Sequence, residues 1–412
     1  MNDWKFERTH TIRTRQALPV SFSLCPAEEA FFTSEASDEA GGSSGPAAPE
    51  LPDTGRTVVS QSGANQPGAN QSGLGFALTP YYFSLIGAGQ DDPVRLQCIP
   101  RRDELEIKPY EVQDPLDEKH YSPLPRMVHR YPDRVLVLVT DECAVYCRHC
   151  FRRYFSSQRA GAITDLQVKR IAEYAASHPE IHEIILSGGD PLTLSDERLG
   201  RILDTLQATV HRADPGRTVV FRLATRMPVV LPQRLTGDLA ALLAGYAPLF
   251  VITQFNHPNE ITEQSRRAVA ELVQHGLPVL NQAVLLKGVN DSVDVLASLF
   301  QRLLDIRVKP YYLFQGDLAA GTAHFRVPLS RGFQLMRELR QRISGLAMPV
   351  YAVDLPGGGG KIPLIENYLH GSRGSNGSRA DTGSRASNGS RAGWYRFTGP
   401  DGRNYYYPEE PS

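Results

Sequence analysis

Short runs of consecutive apolar residues alternate with longer stretches of helical periodicity along the middle of the chain. The apolar runs have the length and the valine- and isoleucine-rich composition of strands that are buried on both faces. The stretches between them, such as 164-TDLQVKRIAEYAASH-178, place apolar residues three or four positions apart, which predicts amphipathic helices. The predicted strands are 135–140, 183–188, 218–225, 249–256, 278–286 and 309–315.

This alternation predicts an α/β fold, because parallel strands need a crossover connection and the predicted helices supply one after each strand. Six such units predict a partial (β/α)6 barrel of the TIM type. In parallel barrels the chemistry lies at the carboxyl ends of the strands. Unusual residues occupy three of these ends: a cysteine cluster after the first strand, Gly188-Gly189-Asp190 after the second, and Asp317 after the sixth.

Two segments of low complexity interrupt this pattern. Residues 34–74 are rich in Gly, Ser, Ala, Pro and Asn, which predicts a disordered insert. Residues 371–393 repeat Gly-Ser-Arg every six positions. No aromatic residue separates these arginines, so we favour a solvated linker over an RNA-binding segment.

We predict three regions along the chain, and the first and the last each contain one of these segments. The last one ends in a predicted β-hairpin around Pro-Asp-Gly within 394–408. The regions are an N-terminal helical region at 1–125, the barrel at 126–350, and a C-terminal segment at 351–412.

Composition narrows the range of partners. The chain has 412 residues, its formal charge is −1, and no large block of like charge indicates a nucleic-acid or membrane surface. The apolar runs are too short to span a bilayer, and the charged N-terminus has no apolar segment typical of a secretory signal. We therefore expect a cytoplasmic protein with reduced thiols that acts on small molecules.

Three of the five cysteines, Cys143, Cys147 and Cys150, lie within eight residues. In a reducing compartment such a cluster favours metal binding or catalysis over disulfides. A zinc site would need a fourth ligand, and no paired Cys/His motif supplies one. Three thiolates instead suit three irons of a four-iron cluster, which leaves the fourth iron open to a ligand. His149 is then more suited to hydrogen bonding than to metal ligation.

The segment 354-DLPGGGGKIP-363 places a lysine, Lys361, directly after four glycines. A phosphate-binding P-loop is excluded, because Leu355 and Ile362 replace its required residues. A partly desolvated lysine can form a Schiff base with pyridoxal phosphate, and the glycines would let the backbone approach such a planar ligand. Arg130 and Arg134 are candidates for its phosphate. A flexible loop with an incidental lysine, and ordinary surface arginines, are the alternatives.

The cysteine spacing, followed one strand later by Gly-Gly-Asp, resembles the radical S-adenosylmethionine superfamily. A wider set of motifs resembles the lysine 2,3-aminomutase family, and this resemblance covers nearly all of the chain outside the low-complexity segments. The motifs lie at 2–6, 76–86, 129–140, 187–199, 226–236, 255–262, 281–291, 310–326 and 354–363.

The resemblance implies the cofactors. It implies that the three cysteines hold a [4Fe-4S] cluster whose open iron binds S-adenosylmethionine and cleaves it to a 5′-deoxyadenosyl radical. Gly188 and Gly189 would let the backbone approach the methionine moiety, and Asp190 would accept a hydrogen bond from its ammonium. The implied cofactor-binding residues, which include those for pyridoxal phosphate, are Lys361, Arg130, Arg134, Gly188, Gly189, Asp190 and Gln282.

The resemblance also implies the substrate site. Lys361 would bind pyridoxal phosphate covalently, Arg152 would pair with the substrate α-carboxylate, and Asp317 and Asp354 would bind the ε-ammonium of L-lysine. The implied reaction is a 1,2-amino shift that converts L-lysine to β-lysine. Both aspartates have an alternative interpretation as loop caps.

Other interpretations stay open from the sequence. The same chemistry on arginine, ornithine or a lysine carried by a translation factor is one. A non-catalytic iron–sulfur electron-transfer protein is another, although it leaves Lys361 and the two aspartates unexplained. We further expect a flavodoxin- or ferredoxin-type electron donor, a homo-oligomer and, because no cysteine follows Cys150, no structural zinc.

Overall fold

The computed structural model describes residues 4–38, 74–158, 160–365, 369–373, 394–399 and 402–408. None of the helices in these ranges is long and apolar enough to cross a lipid bilayer. The α-helices are α1 (Trp4–Thr9), α2 (Pro26–Asp38), α3 (Pro80–Phe83), α4 (Pro93–Cys98), α5 (Arg153–Ser156), α6 (Asp165–Ser177), α7 (Asp196–Ala213), α8 (Met227–Val230), α9 (Gly237–Ala244), α10 (Glu263–Gln274), α11 (Val293–Asp305) and α12 (Leu329–Arg342).

A nine-stranded sheet forms the centre of the described structure, and its strands follow one another in chain order. Strands β2 to β8 are parallel, and β1 and β9 pair antiparallel at the two edges. The strands are β1 (Met127–Tyr131), β2 (Arg134–Thr140), β3 (Glu183–Gly188), β4 (Val220–Ala224), β5 (Leu249–Thr253), β6 (Val279–Leu285), β7 (Val308–Gln315), β8 (Val350–Leu355) and β9 (Gly360–Pro363).

This open α/β sheet confirms the predicted partial barrel, and the six predicted strands correspond to β2 through β7. The predicted number of strands was too small, because β8 adds a seventh parallel strand and β1 and β9 extend both edges. Strands β1 and β9 are short and contain few apolar residues, and the apolar run within β8, residues 350–353, is shorter than those of the predicted strands.

Side chains alternate between the two faces of each strand. In β6, Val279, Ala283 and Leu285 are buried in the main hydrophobic core, whereas Gln282 and Val284 line a cavity on the other face. The core therefore lies between sheet and helices, and the inner face of the sheet is left for a site.

The N-terminal region is helical as predicted where it is described, with α1 to α4 before β1. Helix α2 continues to Asp38, so the first five residues of the predicted insert are helical rather than disordered. Leu74, the last residue of that predicted insert, is buried. Residues 39–73 lie outside the described part of the chain.

A second sheet lies in the C-terminal segment and contains β10 (Leu369–Arg373), β11 (Trp394–Thr398) and β12 (Asn404–Pro408). Strands β11 and β12 form the predicted hairpin. Strand β10 includes residues 371–373, so the predicted linker is wrong for its first three residues. Residues 374–393 lie outside the described ranges, and the three-region division stays a prediction.

Candidate active site

A cavity of about 800 Å³ occupies the inner face of the sheet. Its walls include every site residue predicted from the sequence, from the cysteine loop to the β8–β9 hairpin. Residues from all nine strands of the sheet, or from the loops that follow them, therefore converge on one space. The predicted residues in its lining are Cys143, Cys147, Cys150, Arg152, Gly188, Gly189, Asp190, Gln282, Asp317, Asp354, Lys361, Arg130 and Arg134.

The cysteine loop follows β2 and is held by the N-terminal region. The Tyr146 N–H donates to the Ala77 carbonyl at 3.1 Å, and the Arg148 N–H donates to the Gln97 carbonyl at 2.8 Å. These backbone contacts fix the path of the loop between its cysteines.

A buried carboxylate reinforces this anchorage. Glu104 accepts from Arg148 at 2.6 Å and from Arg153 at 2.5 Å. Burial opposes ionisation, but the two guanidiniums outweigh that penalty and lower the pKa of Glu104 to about 2. The loop is thus attached to the N-terminal region by a fully ionised cluster.

The cysteines themselves fit an iron–sulfur cluster. Burial raises the pKa of the Cys143 thiol well above its usual range and that of Cys150 to about 11. Such thiols ionise when a metal cation binds and replaces their protons. Among the described residues, no three His, Cys, Asp or Glu side chains are arranged to hold a single metal ion. A cluster suits the loop better, because each of its irons takes one thiolate.

Arg226, two residues after β4, contacts one of the predicted cluster ligands. Its Nη1 donates to Cys147 Sγ at 2.8 Å, and its Nη2 donates to Glu260 Oε1 at 2.7 Å. This buried guanidinium therefore links the cysteine loop to the end of β4 and to a buried carboxylate. The sequence motif at 226–236 predicted no role for Arg226, although its place at the carboxyl end of a parallel strand was the available signal.

His149 has the hydrogen-bonding environment that was expected. Its Nε2 lies 3.0 Å from Gln254 Nε2 and 3.4 Å from Asn256 Nδ2. Burial lowers the pKa of His149 well below its usual range. The imidazole is therefore neutral, and its Nε2 accepts from these amides.

Gly188 and Gly189 are required by the cysteine loop. Gly188 has φ +124°, and a Cβ there would lie 2.2 Å from the Thr140 carbonyl oxygen. A Cβ on Gly189 would lie 2.2 Å from the Glu142 carbonyl oxygen. The sequence interpretation attributed these glycines to the approach of a ligand. In the structure, backbone packs on backbone there, and this contact already excludes a side chain.

Asp190 has protein partners in addition to its predicted role. Its carboxylate accepts from Thr225 Oγ1 and the Arg226 N–H, both at 2.7 Å, and from the Leu192 N–H at 3.0 Å. A carboxylate has about four acceptor positions, so these three donors leave one for a further partner. Asp190 ties the end of β3 to the end of β4 and also lines the cavity, and its hydrogen bond to a ligand ammonium stays a prediction.

Three of the four glycines, Gly357 to Gly359, lie in the turn of a hairpin, and Gly360 begins β9. Gly357 and Gly358 have φ +61° and +77°, which L side chains rarely adopt. The turn joins β8 to β9 and brings Asp354 directly opposite Lys361. Lys361 Nζ consequently lies 3.7 Å from Asp354 Oδ2. The turn by itself requires these two glycines, and the approach of a planar ligand to the backbone stays a prediction.

Lys361 has an environment in which its ammonium loses a proton more readily than in water. Its Nζ lies 4.2 Å from the ring centroid of Phe314 and 4.8 Å from that of Tyr312. Burial lowers the pKa of Lys361, and Arg222 and Arg134 lower it further, whereas Asp354 and Asp317 oppose this change. A neutral lysine amine is the nucleophile that Schiff-base formation requires.

The two predicted phosphate-binding arginines differ in availability. Arg130 Nε and Nη2 are buried and have no hydrogen-bond partner among the described residues. Two unpartnered donors in a cavity wall fit an anionic group such as the phosphate of pyridoxal phosphate. Arg134 donates to Asp133 at 2.8 Å and stacks on the Tyr131 ring at 3.9 Å, so it is partly occupied.

Arg152 is already paired with a carboxylate that sequence reasoning missed. Its Nη2 donates to Glu118 Oε1 at 2.6 Å and its Nε donates to the same carboxylate at 3.1 Å. Its Nη1 donates to Ser187 Oγ at 3.2 Å. Glu118 lies 34 positions earlier in the chain, so no local motif indicated this pair.

Asp317 is an unusual carboxylate. Burial and the nearby Asp354 raise its pKa to about 7, against the opposing charges of Lys361 and Arg152. Two acids and a primary ammonium thus share one part of the cavity. Two neighbouring carboxylates disfavour each other's ionisation unless a cation lies near both.

Comparisons with known proteins agree with this site. Residues 137–299 match the radical SAM superfamily and residues 336–376 match the family described as lysine-2,3-aminomutase. The chain is 46% identical over 297 residues to an L-lysine 2,3-aminomutase of Acetoanaerobium sticklandii, covering 72% of this chain and 70% of that protein. It is 41% identical to a glutamate 2,3-aminomutase of Clostridioides difficile, covering 71% and 68%.

Solved structures are more distant. A radical SAM methyltransferase from Sphaerobacter thermophilus is 20% identical, with a TM-score of 0.38 and coverage of 55% of this chain and 68% of that one. The sequence relatives have much higher identity, and the two family models match much of the barrel and residues 336–376, which include the β8–β9 hairpin. The chain therefore belongs to the lysine 2,3-aminomutase family of the radical S-adenosylmethionine superfamily, and it is an isomerase.

Proposed function

We propose that this isomerase converts L-lysine to β-lysine, 3,6-diaminohexanoate, by a 1,2-shift of the α-amino group, and that it depends on pyridoxal phosphate held by Lys361. One observation carries the proposal. The cavity contains a pair of acids, Asp317 and Asp354, together with the guanidinium of Arg152. The acids suit a cationic side chain, and the guanidinium suits an α-carboxylate.

The acid pair supports a substrate with a primary ammonium. Lys361 Nζ lies 3.7 Å from Asp354 Oδ2, so an ammonium of this kind fits beside that carboxylate. When Lys361 is engaged by the cofactor, Asp354 loses this cation and has room for another. Buried carboxylates are stable only when a partner replaces their water, so the pair favours a diamino acid.

The family implies a [4Fe-4S] cluster, S-adenosylmethionine and pyridoxal phosphate as cofactors. When bound, the first two supply a hydrogen-abstracting radical and the third supplies a carbonyl group that bonds the migrating nitrogen. Cys143, Cys147 and Cys150 would hold the cluster, and Lys361 and Arg130 would hold pyridoxal phosphate.

The chain's own residues position the substrate. Arg152 orients the α-carboxylate, and the two aspartates hold the far ammonium, so both ends of the substrate are bound. Phe314 and Tyr312 place aromatic surface beside Lys361 Nζ, which reduces the access of water to that amine. Holding the reacting groups in one dry geometry is the main contribution that the protein makes.

Other substrates are less well supported. A glutamate 2,3-aminomutase is among the relatives, but a substrate with two carboxylates would place one of them against the acid pair. Ornithine, arginine and a protein-bound lysine also carry cations, so the acid pair does not distinguish them from free lysine. Product analysis makes that distinction. An electron-transfer protein has no use for Lys361 or the acid pair. The flavodoxin- or ferredoxin-type donor, the homo-oligomer and the cytoplasmic location stay predictions.

The first test is product analysis. The reconstituted and reduced protein is incubated without oxygen with pyridoxal phosphate, S-adenosylmethionine and equal amounts of lysine, arginine, ornithine and glutamate. We expect β-lysine to be the product that accumulates. Conversion of glutamate would contradict the role of the acid pair. Conversion of arginine or ornithine alone, or cleavage of S-adenosylmethionine without any amino acid product, would overturn lysine as the substrate.

Lysine affinity is expected to depend on pH. The raised pKa of Asp317, about 7, means that this carboxyl is largely neutral in acid and ionised above neutrality. An ammonium binds the ionised form, so binding lowers the pKa and releases a proton. Affinity should therefore rise with pH from about pH 6 to pH 8 and then level off. The lysine KM measured across this range tests the expectation.

The control for this experiment is Asp317→Asn, which removes the titrating group while retaining its shape. The variant should bind lysine more weakly, and its lysine KM should show a flatter pH dependence over the same range. A KM that is independent of pH in the parent protein, or lower in acid, would contradict the assignment.

A further inference from the structure

We propose that Glu118 is a positioning residue for substrate recognition: it holds one edge of the Arg152 guanidinium so that another edge faces the substrate carboxylate. The inference rests on the proposed function, because it assigns Arg152 to the α-carboxylate of an amino acid. It adds a residue from outside the barrel to the recognition of that group.

The geometry of the pair leaves part of the guanidinium available. Glu118 takes the Nε and Nη2 edge of Arg152, at 3.1 and 2.6 Å. Ser187 Oγ accepts from Nη1 at 3.2 Å. A guanidinium has five N–H groups, and both Nη atoms carry a second one. The edge formed by Nη1 and Nη2 is therefore the one that can pair with a second carboxylate in the cavity.

Glu118 also balances the charge of Arg152. The side chains of Arg152 and Glu118 are only 15% and 18% exposed, so little water is available to compensate the charge of the guanidinium in place of the carboxylate. A buried cation without this partner would carry an unpaired charge. Glu118 thus stabilises both the charge and the orientation of the guanidinium.

The backbone around Glu118 is firmly attached. Asp114 accepts from the Glu118 N–H at 3.0 Å and from the Lys119 N–H at 3.1 Å. Ser122 Oγ donates to the Glu118 carbonyl at 2.6 Å. Side-chain-to-backbone bonds of this kind fix a turn. The Glu118 carboxylate is therefore presented from a defined position.

The same segment reaches the lysine hairpin. The Tyr121 hydroxyl lies 3.4 Å from the Gly358 carbonyl oxygen, and a Cβ on Gly358 would lie 2.5 Å from the Tyr121 ring. The His129 N–H donates to the Tyr121 carbonyl at 2.7 Å, which ties the segment to β1. Residues 114–122 consequently contact both Arg152 and the turn that precedes Lys361. One segment therefore links the positions of Arg152 and Lys361.

An alternative in which the substrate carboxylate displaces Glu118 from Arg152 predicts the opposite effect of removing Glu118 on substrate affinity. If Glu118 only occupied the carboxylate site until substrate arrived, its removal would free Arg152 and strengthen substrate binding. The attached turn and the available Nη1–Nη2 edge favour a permanent partner instead. Loss of a permanent partner weakens binding, because a planar pairing requires a fixed guanidinium plane.

The test compares two ligands of the protein loaded with pyridoxal phosphate. L-lysine has the carboxylate that Arg152 would bind, and 1,5-diaminopentane lacks it but retains both amines. Calorimetry measures the Kd of each ligand for the parent protein, Glu118→Gln and a matched control, Glu106→Gln, which removes the same charge from an exposed site. We expect Glu118→Gln to weaken lysine about tenfold, the scale of a hydrogen bond to a charged group, and to leave diaminopentane unchanged.

A double variant completes the test. In an Arg152→Gln background, Glu118→Gln should have little further effect on lysine, because the two residues act as one unit. Tighter lysine binding by Glu118→Gln, unchanged lysine binding, or equal weakening of both ligands would overturn the proposal for Glu118. If the proposed function itself is wrong, the parent protein will not bind lysine more tightly than diaminopentane. This outcome is distinct from any effect of Glu118→Gln.

Discussion

Substitution of Lys361 by alanine is expected to abolish covalent attachment of pyridoxal phosphate and to reduce β-lysine formation by at least about 10³-fold. Lys361 is the lysine whose amine lies in the cavity between Asp354 and the aromatic rings of β7. Burial lowers its pKa, so the reactive neutral amine forms more readily than in a solvated lysine. Loss of the amine removes the only bond that the proposal assigns between chain and cofactor.

The measurement separates this loss from unfolding. Lys361→Ala should lose the near-visible absorption of the lysine–cofactor adduct and its trapping by borohydride, whereas iron content should be unchanged. The cysteine loop is held by Glu104 and the N-terminal region, which do not depend on the hairpin. Lys287→Ala, at an exposed loop position, is the control and should keep the adduct. A borohydride-stable adduct in Lys361→Ala would show that another lysine binds the cofactor.

Substitution of Asp354 by alanine is expected to weaken lysine binding about a hundredfold, the scale of removing one partner from a buried charge pair. The substrate ammonium would then face Asp317 alone. Removal of Asp354 also removes a charge that raises the pKa of Asp317, so Asp317 ionises more readily, but one carboxylate then replaces the two that faced the ammonium. Asp317→Ala should have a similar effect. The lysine KM and the Kd of S-adenosylmethionine, measured on each variant, report the two sites separately.

Affinity for S-adenosylmethionine is the internal control in this experiment. The cofactor is assigned to the cysteine loop and the end of β3, so neither aspartate should change its Kd by more than a small factor. If both affinities fell equally, the acids would be holding the fold rather than a ligand. Asp291→Ala, at a half-buried loop position beyond β6, provides a comparison for the loss of an acid outside the cavity.

The fold could be predicted wherever strands are buried on both faces. Strands β2 to β7 carry apolar runs that are interrupted by few polar residues, so their sequence alone identifies them. Strands β1 and β9 lie at the edges of the sheet, and β8 directs Asp354 into the cavity. Polar residues such as Arg130, Asp354 and Lys361 occupy cavity-lining positions of these strands, and the apolar run within β8 is only four residues long.

The reactive groups of the candidate site could be predicted from the sequence, but the side chains that contact them could not. The three cysteines share a single loop, so local spacing was enough to indicate an open iron–sulfur cluster. Arg226 and Cys147 lie 79 positions apart, and Arg152 and Glu118 lie 34 apart. Such pairs form only when the sheet brings separate segments together, and no spacing rule within one segment indicates them.

The sequence by itself determined which reactive groups this protein has and at which strand ends they lie, because the spacing of thiols in one loop and the succession of strand and helix are local properties. Only the tertiary structure decided what each group does there. It showed that neighbouring backbone packs where Gly188 and Gly189 have no side chains, and that Asp190 accepts hydrogen bonds from three protein donors. It also placed Asp354 opposite Lys361 through a hairpin turn. The reason is physical: a side chain's role depends on the atoms packed against it, and those atoms come from distant parts of the chain.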